Sequence, residues 1–238
     1  MNLNMDKVIV RPFEERDRES VRRICRETGL KGDPARLFFE DEEIIPLLYV
    51  DYYLDHEPHA CFVADVSSRV VGYIIGSVDA HRRRRIMLIR IYPRVARRIL
   101  GKLLTLQYRD RETFRTLWWI ATRSWREALP RPADRYSAHA HFNVGKDYRG
   151  RHLGRRLAIA FRRYILSKGV KGLYAIIREQ EGQELLSAFL CRERGYRIIA
   201  VRRNTLWEKS TGCKWYARLL VCDVKPLAGE EDDEAGLR

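Results

Sequence analysis

The feature that most constrains the fold is a strand, a basic glycine-containing turn and a helix in direct succession. Ser137 to Val144 has the pattern of a strand, and Gly154 to Lys168 has apolar residues on one helical face. Between them lies YRGRHLGRRL (148–157), with two glycines and four arginines. The first N–H groups of a helix lack intrahelical partners and lie at the positive end of its dipole. The succession therefore predicts an anion-binding site at the start of the helix.

The remaining segments predict an α/β protein with one mixed central sheet. Helical and strand patterns alternate after a leading hairpin, which is typical of a sheet flanked by helices. The predicted elements are, in order, a strand at Val8 to Arg11, a helix near Asp17 to Glu27 that ends at Gly29, one or two short helices in Ala35 to Asp55, a hairpin at His59 to Val78 that turns at Ser67 to Arg69, a helical insertion at 81–136, the strand–turn–helix unit, a strand at Leu173 to Ile177, a helix at Glu184 to Arg194 closed by Gly195, and strands at Tyr196 to Val201 and Lys214 to Val224.

The insertion at 81–136 is strongly basic, with 16 Lys and Arg against 4 Asp and Glu, and prolines 130 and 132 are expected to end it. An amphipathic helix is predicted there, with its apolar face packed onto the domain. The residues of that face are Phe114, Leu117, Trp118, Ala121, Trp125, Ala128 and Leu129.

Length and composition favour a single domain over residues 1–226, because 238 residues with 45% hydrophobic content can bury one core. The acidic, non-periodic residues 227–238 are expected to be a disordered tail. Five cysteines without close CxxC spacing indicate a reducing compartment and argue against disulfides or a zinc site. The start MNLNMDKVIV lacks the apolar region of a signal peptide, so we expect a cytoplasmic protein with no bound metal.

From Val8 to about Val201, this order of elements resembles the GNAT superfamily of N-acetyltransferases. The most specific part of the resemblance is VGKDYRGRHLGRRL, similar to the family's acetyl-CoA motif, in which Arg or Gln is followed by xxGxG or xxGxA. Arg149 begins the motif and Gly154 ends it, with His152 in place of the middle glycine. The hairpin, the basic insertion and the AHxHxN-type strand are also similar to uncharacterised acetyltransferase-like proteins, related to a domain attached to some O-GlcNAc hydrolases.

The resemblance implies a GNAT-type mixed sheet and transfer of acetyl from acetyl-CoA to an amine by direct attack. It implies that backbone amides of the turn bind the CoA pyrophosphate, that the preceding strand end pairs with the pantetheine arm, and that a backbone N–H near Val144 holds the oxyanion. At His152 a negative φ is tolerable, whereas a positive φ costs about 1 kcal/mol. The implied cofactor-binding residues are Phe142, Asn143, Val144, Arg149, Gly150, Arg151, His152, Leu153, Gly154 and Arg155.

Two histidines are candidates for the base that acyl transfer to an amine requires. His139 and His141 lie two residues apart on the predicted strand and therefore on one face. A neutral imidazole could accept the amine proton, and His141 is closer to the strand end where the thioester would lie. The alternative is that both are hydrogen-bonded strand residues.

The last predicted helix departs from the family pattern. Counting back from Gly195 and Tyr196, Cys191 occupies the position of the family's catalytic tyrosine, and Glu184 that of an asparagine. Cys191 could protonate the departing thiolate, or it could be a small buried residue with no chemical role. A GNAT-like domain that binds acyl-CoA without transferring an acyl group therefore remains an alternative.

The acceptor side leaves further alternatives open. The run RRRR (82–85) with Trp118, Trp119 and Trp125 could bind nucleic acid or an anionic membrane surface. The helical spacing instead favours tryptophans that pack onto the domain, with solvated arginines, some of which meet the acidic stretch at 40–43. The acids of Phe38 to Asp55 are also expected to suit a cationic amine acceptor.

Overall fold

The structure is a computed structural model that describes residues 8–28 and 38–224. Within these ranges seven strands form one sheet. The strands are β1 (Val8–Pro12), β2 (Cys61–Val66), β3 (Arg69–Ser77), β4 (Ala138–Val144), β5 (Gly172–Gln180), β6 (Arg197–Arg203) and β7 (Trp215–Asp223). The helices are α1 (Arg18–Thr28), α2 (Ile44–Tyr49), α3 (Asp51–His56), α4 (Ala80–Ile86), α5 (Tyr92–Leu104), α6 (Arg111–Thr122), α7 (Leu153–Ser167), α8 (Leu185–Glu193) and α9 (Thr205–Thr211), with a π-helical turn at Met87–Ile91 between α4 and α5.

The sheet splits between its fourth and fifth strands. Its order is β1-β2-β3-β4-β5-β7-β6, and in the described chain only the β4–β5 pair is parallel. This pair is short: Ala138 lies opposite Leu173 and His139 opposite Tyr174, whereas β5 pairs with β7 over its whole length. Past His139 and Tyr174 the two strands therefore diverge, and we call the space between them the wedge.

Helix α7 packs directly on one face of the sheet. Its Leu157, Phe161 and Ile165 are buried, as their spacing predicts. Gly76 of β3 lies under the Phe161 ring, and a Cβ atom at this position would overlap that ring. The close approach fixes the height of α7 above the sheet. Gly169, with φ of +68°, follows the end of α7 as predicted.

Helices α1, α2, α3 and α5 cover the opposite face, in a core that includes Tyr53 and Tyr73. Alternation along β4 turns its odd-numbered residues, His139, His141 and Asn143, toward this side. The predicted pair of histidines on one face is confirmed. The α7 core and the histidines therefore lie on opposite faces of the same strand.

Most predicted elements are present, with shifted boundaries. The predicted hairpin forms, and its turn is the two residues Ser67 and Ser68, both with positive φ. Helix α9 was not predicted, and β7 inserts between β5 and β6. Gly29 and the predicted acidic tail at 227–238 lie outside the described residues.

The predicted packing of the insertion's apolar face is confirmed only in part. Leu117 and Leu129 pack against buried clusters, whereas Phe114, Trp118 and Trp125 are exposed. The side of α6 that faces the domain includes Thr113 and Thr116 beside Leu117, and the threonine hydroxyls bond the Glu40 backbone N–H (3.0 Å) and the Phe38 carbonyl (2.7 Å). Trp118 is 68% exposed in consequence. Helix α6 also ends at Thr122, so three residues of the predicted stripe lie beyond it: Trp125, Ala128 and Leu129.

Among the described helices, none is both long and apolar enough to cross a membrane.

Candidate active site

The turn between β4 and α7 has the backbone shape of an anion-binding loop. Gly150 and His152 both have positive φ, +73° and +57°. His152 lies in the left-handed region with ψ of 10°, so the conditional cost predicted for a non-glycine residue here applies, about 1 kcal/mol. The Arg149 side chain folds back, and its Nε donates to the Val144 carbonyl (3.2 Å).

Backbone donors of this turn are unpaired. Within the described part of the chain, the N–H groups of Gly150, His152, Leu153 and Gly154 have no hydrogen-bond partner, and no side chain caps α7. Helix α7 has 15 residues, so its dipole adds to these donors. We call residues 149–154 and the start of α7 the cradle. It can bind an anion such as a phosphate.

The cradle and the predicted strand end lie together. A Cβ atom on Gly154 would lie 3.2 Å from Cε2 of Phe142, so the absence of a side chain lets α7 approach β4. Phe142 is exposed, and Asn143 and Val144 are partly exposed. Beyond His139, the edge of β4 that faces β5 has no strand partner in the described ranges. The cradle thus opens onto an unpaired strand edge.

A second group of side chains lies where β4 and β5 come together, and we call it the floor. The hydroxyl of Tyr53 lies 2.9 Å from Nδ1 of His139. Arg83 donates from Nη1 to the Tyr53 hydroxyl (3.1 Å) and from Nη2 to the Tyr174 hydroxyl (2.9 Å). Arginine only donates, so the Tyr53 oxygen accepts from Arg83 and its own proton is available to Nδ1. We assign this direction, which puts the His139 proton on Nε2.

His141 continues the floor toward the strand end. Asn143 Nδ2 donates to the Tyr73 hydroxyl (2.9 Å) and contacts Nε2 of His141 (3.3 Å). Since an amide nitrogen cannot accept, His141 Nε2 is the acceptor, and its proton lies on Nδ1. The Tyr49 ring lies 6.2 Å from the His141 ring, centroid to centroid. Both histidines are thus held in defined orientations.

The floor keeps both histidines neutral. Burial lowers the pKa of His139 well below its usual value, and the nearby Arg83 and His141 lower it further. Burial also lowers the pKa of His141 to about 4, with a smaller contribution from Arg178. Loss of hydration and the positive guanidiniums disfavour the imidazolium form. Both rings are therefore neutral near pH 7.

Cys191 is separate from both groups. It lies in α8 and is partly exposed, and its thiol makes no hydrogen bond to any described residue. The start of α8 is bound instead by Glu179, a buried carboxylate on β5. Its Oε1 accepts from the backbone N–H of Leu186 (2.9 Å) and Ser187 (3.1 Å). Glu184, at the family's asparagine position, accepts from Gly182 N–H and from Arg218.

The acids predicted to face a cationic acceptor bond the chain itself. Asp41 pairs with Arg98 (2.7 Å) and Lys102 (3.0 Å), which confirms that the insertion meets this acidic stretch. The other partners are Arg109 N–H and Asp110 N–H for Glu40, Arg22 and Arg26 for Glu43, Arg22 for Asp51, and Arg18 for Asp55. These carboxylates stabilise the packing of helices, so the expectation of a cationic amine loses its basis.

Two surface cavities lie away from the wedge. One of 330 Å³ is lined by residues that include Ser137 and Lys171, and one of 280 Å³ by residues that include Arg23 and Asp147. Neither is lined by a predicted site residue. In the described ranges, no group of three His, Cys, Asp or Glu side chains is placed to hold a metal ion.

Sequence reasoning missed Tyr53, Arg83, Tyr174 and Glu179. Arg83 is one of four consecutive arginines, and nothing in that run distinguishes the one that turns inward. The two tyrosines are 86 and 91 residues distant from their floor partners along the chain. Only the fold brings these side chains together.

No protein-family model matches the chain, and no curated protein matches it in sequence. Solved structures match it in fold. The protein SsHAT is 24% identical with a TM-score of 0.65, and the match covers 92% of this chain and 99% of SsHAT. A GCN5-related N-acetyltransferase from Kribbella flavida is 16% identical with a TM-score of 0.51, over 91% of this chain and 97% of the other.

The polyamine N acetyltransferase of Drosophila melanogaster, an enzyme that forms N acetylagmatine, is 18% identical with a TM-score of 0.51, over 91% of this chain and all of the other. At these sequence identities, the structural similarity to the three proteins establishes the fold. The chain has the fold of the GCN5-related N-acetyltransferases, and the predicted GNAT-type mixed sheet is confirmed.

Proposed function

We propose that the protein transfers an acetyl group from acetyl-CoA to an amine by direct attack. The observation that carries the proposal is the wedge, which joins a cradle of unpaired N–H groups to a floor with two neutral histidines. Proteins of the same fold are N-acetyltransferases. We further propose one domain over residues 1–226 and, from the five free thiols, a cytoplasmic location.

Acetyl-CoA fits the residues present. The N–H groups of Gly150, His152, Leu153 and Gly154 would bind the pyrophosphate, with Arg149, Arg151 and Arg155 adding positive charge. The open edge of Phe142 to Val144 would bind the pantetheine arm as an added strand does. When bound, the cofactor supplies an acetyl group activated as a thioester.

The floor provides the proton acceptor. His141 carries its lone pair on Nε2, where it accepts a long hydrogen bond from Asn143 (3.3 Å), so the acceptor amine would displace that donor. Its low pKa keeps the ring unprotonated at neutral pH. It can take a proton from nitrogen as the amide forms, because that nitrogen becomes increasingly acidic. The Nδ1 atom of His139 is bonded to Tyr53, so its Nε2–H is the group that can orient a substrate in the site. Backbone N–H groups on the open edge of β4 near Val144 would stabilise the oxyanion.

Cys191 lies apart from the cradle and the floor, and we keep it as the acid only because the resemblance implies that role for its position in α8. A thiol on α8 would protonate the departing CoA sulfur. Cys191→Ser keeps a small polar side chain, so a fall in kcat of tenfold or more with unchanged acetyl-CoA binding supports the role. Unchanged turnover removes Cys191 from the mechanism.

The cradle is tested first, by thermal unfolding with acetyl-CoA at about 100 times its Kd. Such a ligand adds about 2.7 kcal/mol, or roughly 5–10 °C for a domain of this size. The double variant Arg149→Glu, Gly154→Asp should lose the shift, and Arg131→Glu, at an exposed loop position, should keep it. An equal shift in the double variant would contradict the assignment of the cradle.

A non-catalytic acyl-CoA-binding domain is the alternative within the same site. Both functions predict the thermal shift, but only the enzyme releases free CoA faster when amines are added. A thiol-release assay over a panel of amines separates them. Binding without release would favour the non-catalytic function.

A second candidate function is binding of a nucleic acid or an anionic membrane through the insertion. It is favoured by the exposure of Trp118 and Trp125, 68% and 65%, beside basic residues such as Arg126, whose guanidinium lies 4.7 Å from the Trp125 ring centroid. Affinity for RNA or for phosphatidylserine vesicles that falls tenfold or more between 50 and 300 mM salt, and falls further in Trp118→Ala, would support it. Affinity independent of salt would exclude it.

A further inference from the structure

Arg83 is an arginine of the floor that has no acidic partner. It lies in α4 and is only partly exposed, with two of its five N–H donors bonded to the hydroxyls of Tyr53 and Tyr174. Its Nε is shielded from solvent and has no hydrogen-bond partner in the described chain. No carboxylate of the described residues forms an ion pair with it.

Other arginines of low exposure are neutralised. Arg11 pairs with Asp17 and Asp65. Arg22, 13% exposed, pairs with Asp51 and Glu43. Arg218, 11% exposed, lies beside Glu179 and Glu184. Desolvated charge is costly unless it is paired, and these three arginines follow this rule. Arg83 departs from it at the floor.

A second guanidinium lies near the same face. Parallel pairing puts Tyr174 beside His139, and alternation along β5 turns Arg178 to the side of Tyr174. Arg178 is close enough to His141 to act on it electrostatically. It is partly exposed, and its side chain forms no hydrogen bond or ion pair with a described residue. Two guanidiniums thus flank two neutral histidines, and the acids at 40–55 other than Glu42 are bonded elsewhere.

We propose that the acceptor is an amine that also bears a carboxylate, as an amino acid does, and that Arg83 and Arg178 bind this carboxylate beside His141. The inference rests on the proposed function, because it names the substrate class of that site. Guanidinium groups match carboxylates in shape and donor geometry, and the anion supplies the charge that the floor lacks. Because the histidines carry no charge, the carboxylate of the acceptor would be the counter-ion of the two arginines.

Matched acceptors test the proposal. Release of CoA from acetyl-CoA is measured with tyrosine against tyramine, lysine against cadaverine, histidine against histamine, and phosphoethanolamine against ethanolamine. At least one carboxylated acceptor is expected to exceed its decarboxylated counterpart tenfold or more in kcat/KM. The proposal is overturned if none does, and a preference confined to phosphoethanolamine overturns the choice of carboxylate.

Variants then locate the anion site. Arg83→Met and Arg178→Gln should each lower kcat/KM for the preferred carboxylated acceptor at least tenfold more than for its decarboxylated counterpart. Arg83→Lys, which keeps the charge, should recover part of the loss. Arg84→Met, at an exposed position of the same helix, is the control and should match the wild type. Equal losses for both members of a pair would overturn the assignment.

Two controls separate this inference from the proposed function. Each variant should keep the wild-type acetyl-CoA thermal shift, which shows that it folds and binds cofactor. If the wild type shows no such shift, the proposed function fails, and calorimetry with the same acceptor pairs still tests the anion site. If no carboxylated amine then binds more tightly than its decarboxylated counterpart, the inference is overturned as well.

Discussion

The cradle and the floor are the two ends of one wedge, and they recognise ligands by different means. The cradle uses backbone N–H groups, which every residue but proline possesses, so His152 can replace a glycine there at the cost of local strain. The floor uses specific side chains bonded in a chain from Arg83 through Tyr53 to His139. A single substitution can therefore break the floor, whereas the cradle depends mainly on backbone conformation and on the seating of α7.

Because the cradle depends on the seating of α7, we expect the most damaging substitution at Gly76 of β3, which lies under Phe161 of α7. Gly76→Ala puts a methyl group into the Phe161 ring, which is buried and cannot move aside. We expect a loss of about 3 kcal/mol in the free energy of unfolding, measured by urea denaturation. Gly101→Ala, at an exposed helical position with open space around it, should instead be neutral or slightly stabilising. Equal effects would show that α7 is not seated on this glycine.

The floor should differ from the cradle in its response to acid. The pKa of His141 is about 4 in the fold, below the value near 6.5 expected in the unfolded chain. As pH falls from 6.5 to 5, the unfolded chain gains a proton that the folded chain does not, so the free energy of unfolding falls by about 2 kcal/mol from this residue. The pKa of His139 is also lowered and acts in the same direction.

Urea denaturation at pH 7.5, 6.5, 5.8 and 5.0 measures this slope. His141→Gln should flatten it, and His81→Gln, at an exposed position, should not. Carboxylates whose pKa is lowered in the fold, such as Asp17 and Asp41, titrate below this window. An unchanged slope in His141→Gln would show that the ring is solvated and not part of a buried floor.

The same contrast explains what the sequence could and could not predict. The cradle is local, because strand, turn and helix follow one another within 148–157 and its flanks. The turn and α7 were therefore predicted correctly, and the anion-binding role of the turn stays a prediction. The floor depends on the register that places His139 beside Tyr174 and on the inward turn of Arg83. No periodicity encodes either feature.

The insertion shows how periodicity can mislead. Its apolar residues have helical spacing, but α6 docks through the hydroxyls of Thr113 and Thr116, and Trp118 is left in solvent. Two hydrogen bonds to the backbone of residues 38–40, together with the packing of Leu117, orient the helix so that Phe114 and Trp118 face solvent. A hydrophobic pattern indicates which face of a helix is apolar. Only the docked structure shows which face is buried against the domain.

Tyr53→Phe tests whether the floor acts as a connected network. Loss of the hydroxyl leaves Nδ1 of His139 and one donor of Arg83 without their partner, so we expect a loss of about 1–2 kcal/mol in unfolding free energy. Tyr49→Phe is the matched control, since no hydrogen bond to a described residue involves the Tyr49 hydroxyl, and it should change stability by less than about 0.5 kcal/mol. Similar values for both variants would mean that the network contributes no stability.

The smallest predicted effect returns to the cradle. Replacing His152 with glycine relieves the strain of a left-handed side chain, about 1–2 kcal/mol, but gives the unfolded chain about 0.5–1 kcal/mol more entropy. A net gain of about 0.5 kcal/mol in unfolding free energy is therefore expected, with acetyl-CoA binding unchanged because the donors belong to the backbone. Gly150→Ala, at φ of +73°, should show the opposite sign. If His152→Gly weakens acetyl-CoA binding tenfold or more, the imidazole itself contacts the ligand, and the cradle depends on a side chain as the floor does.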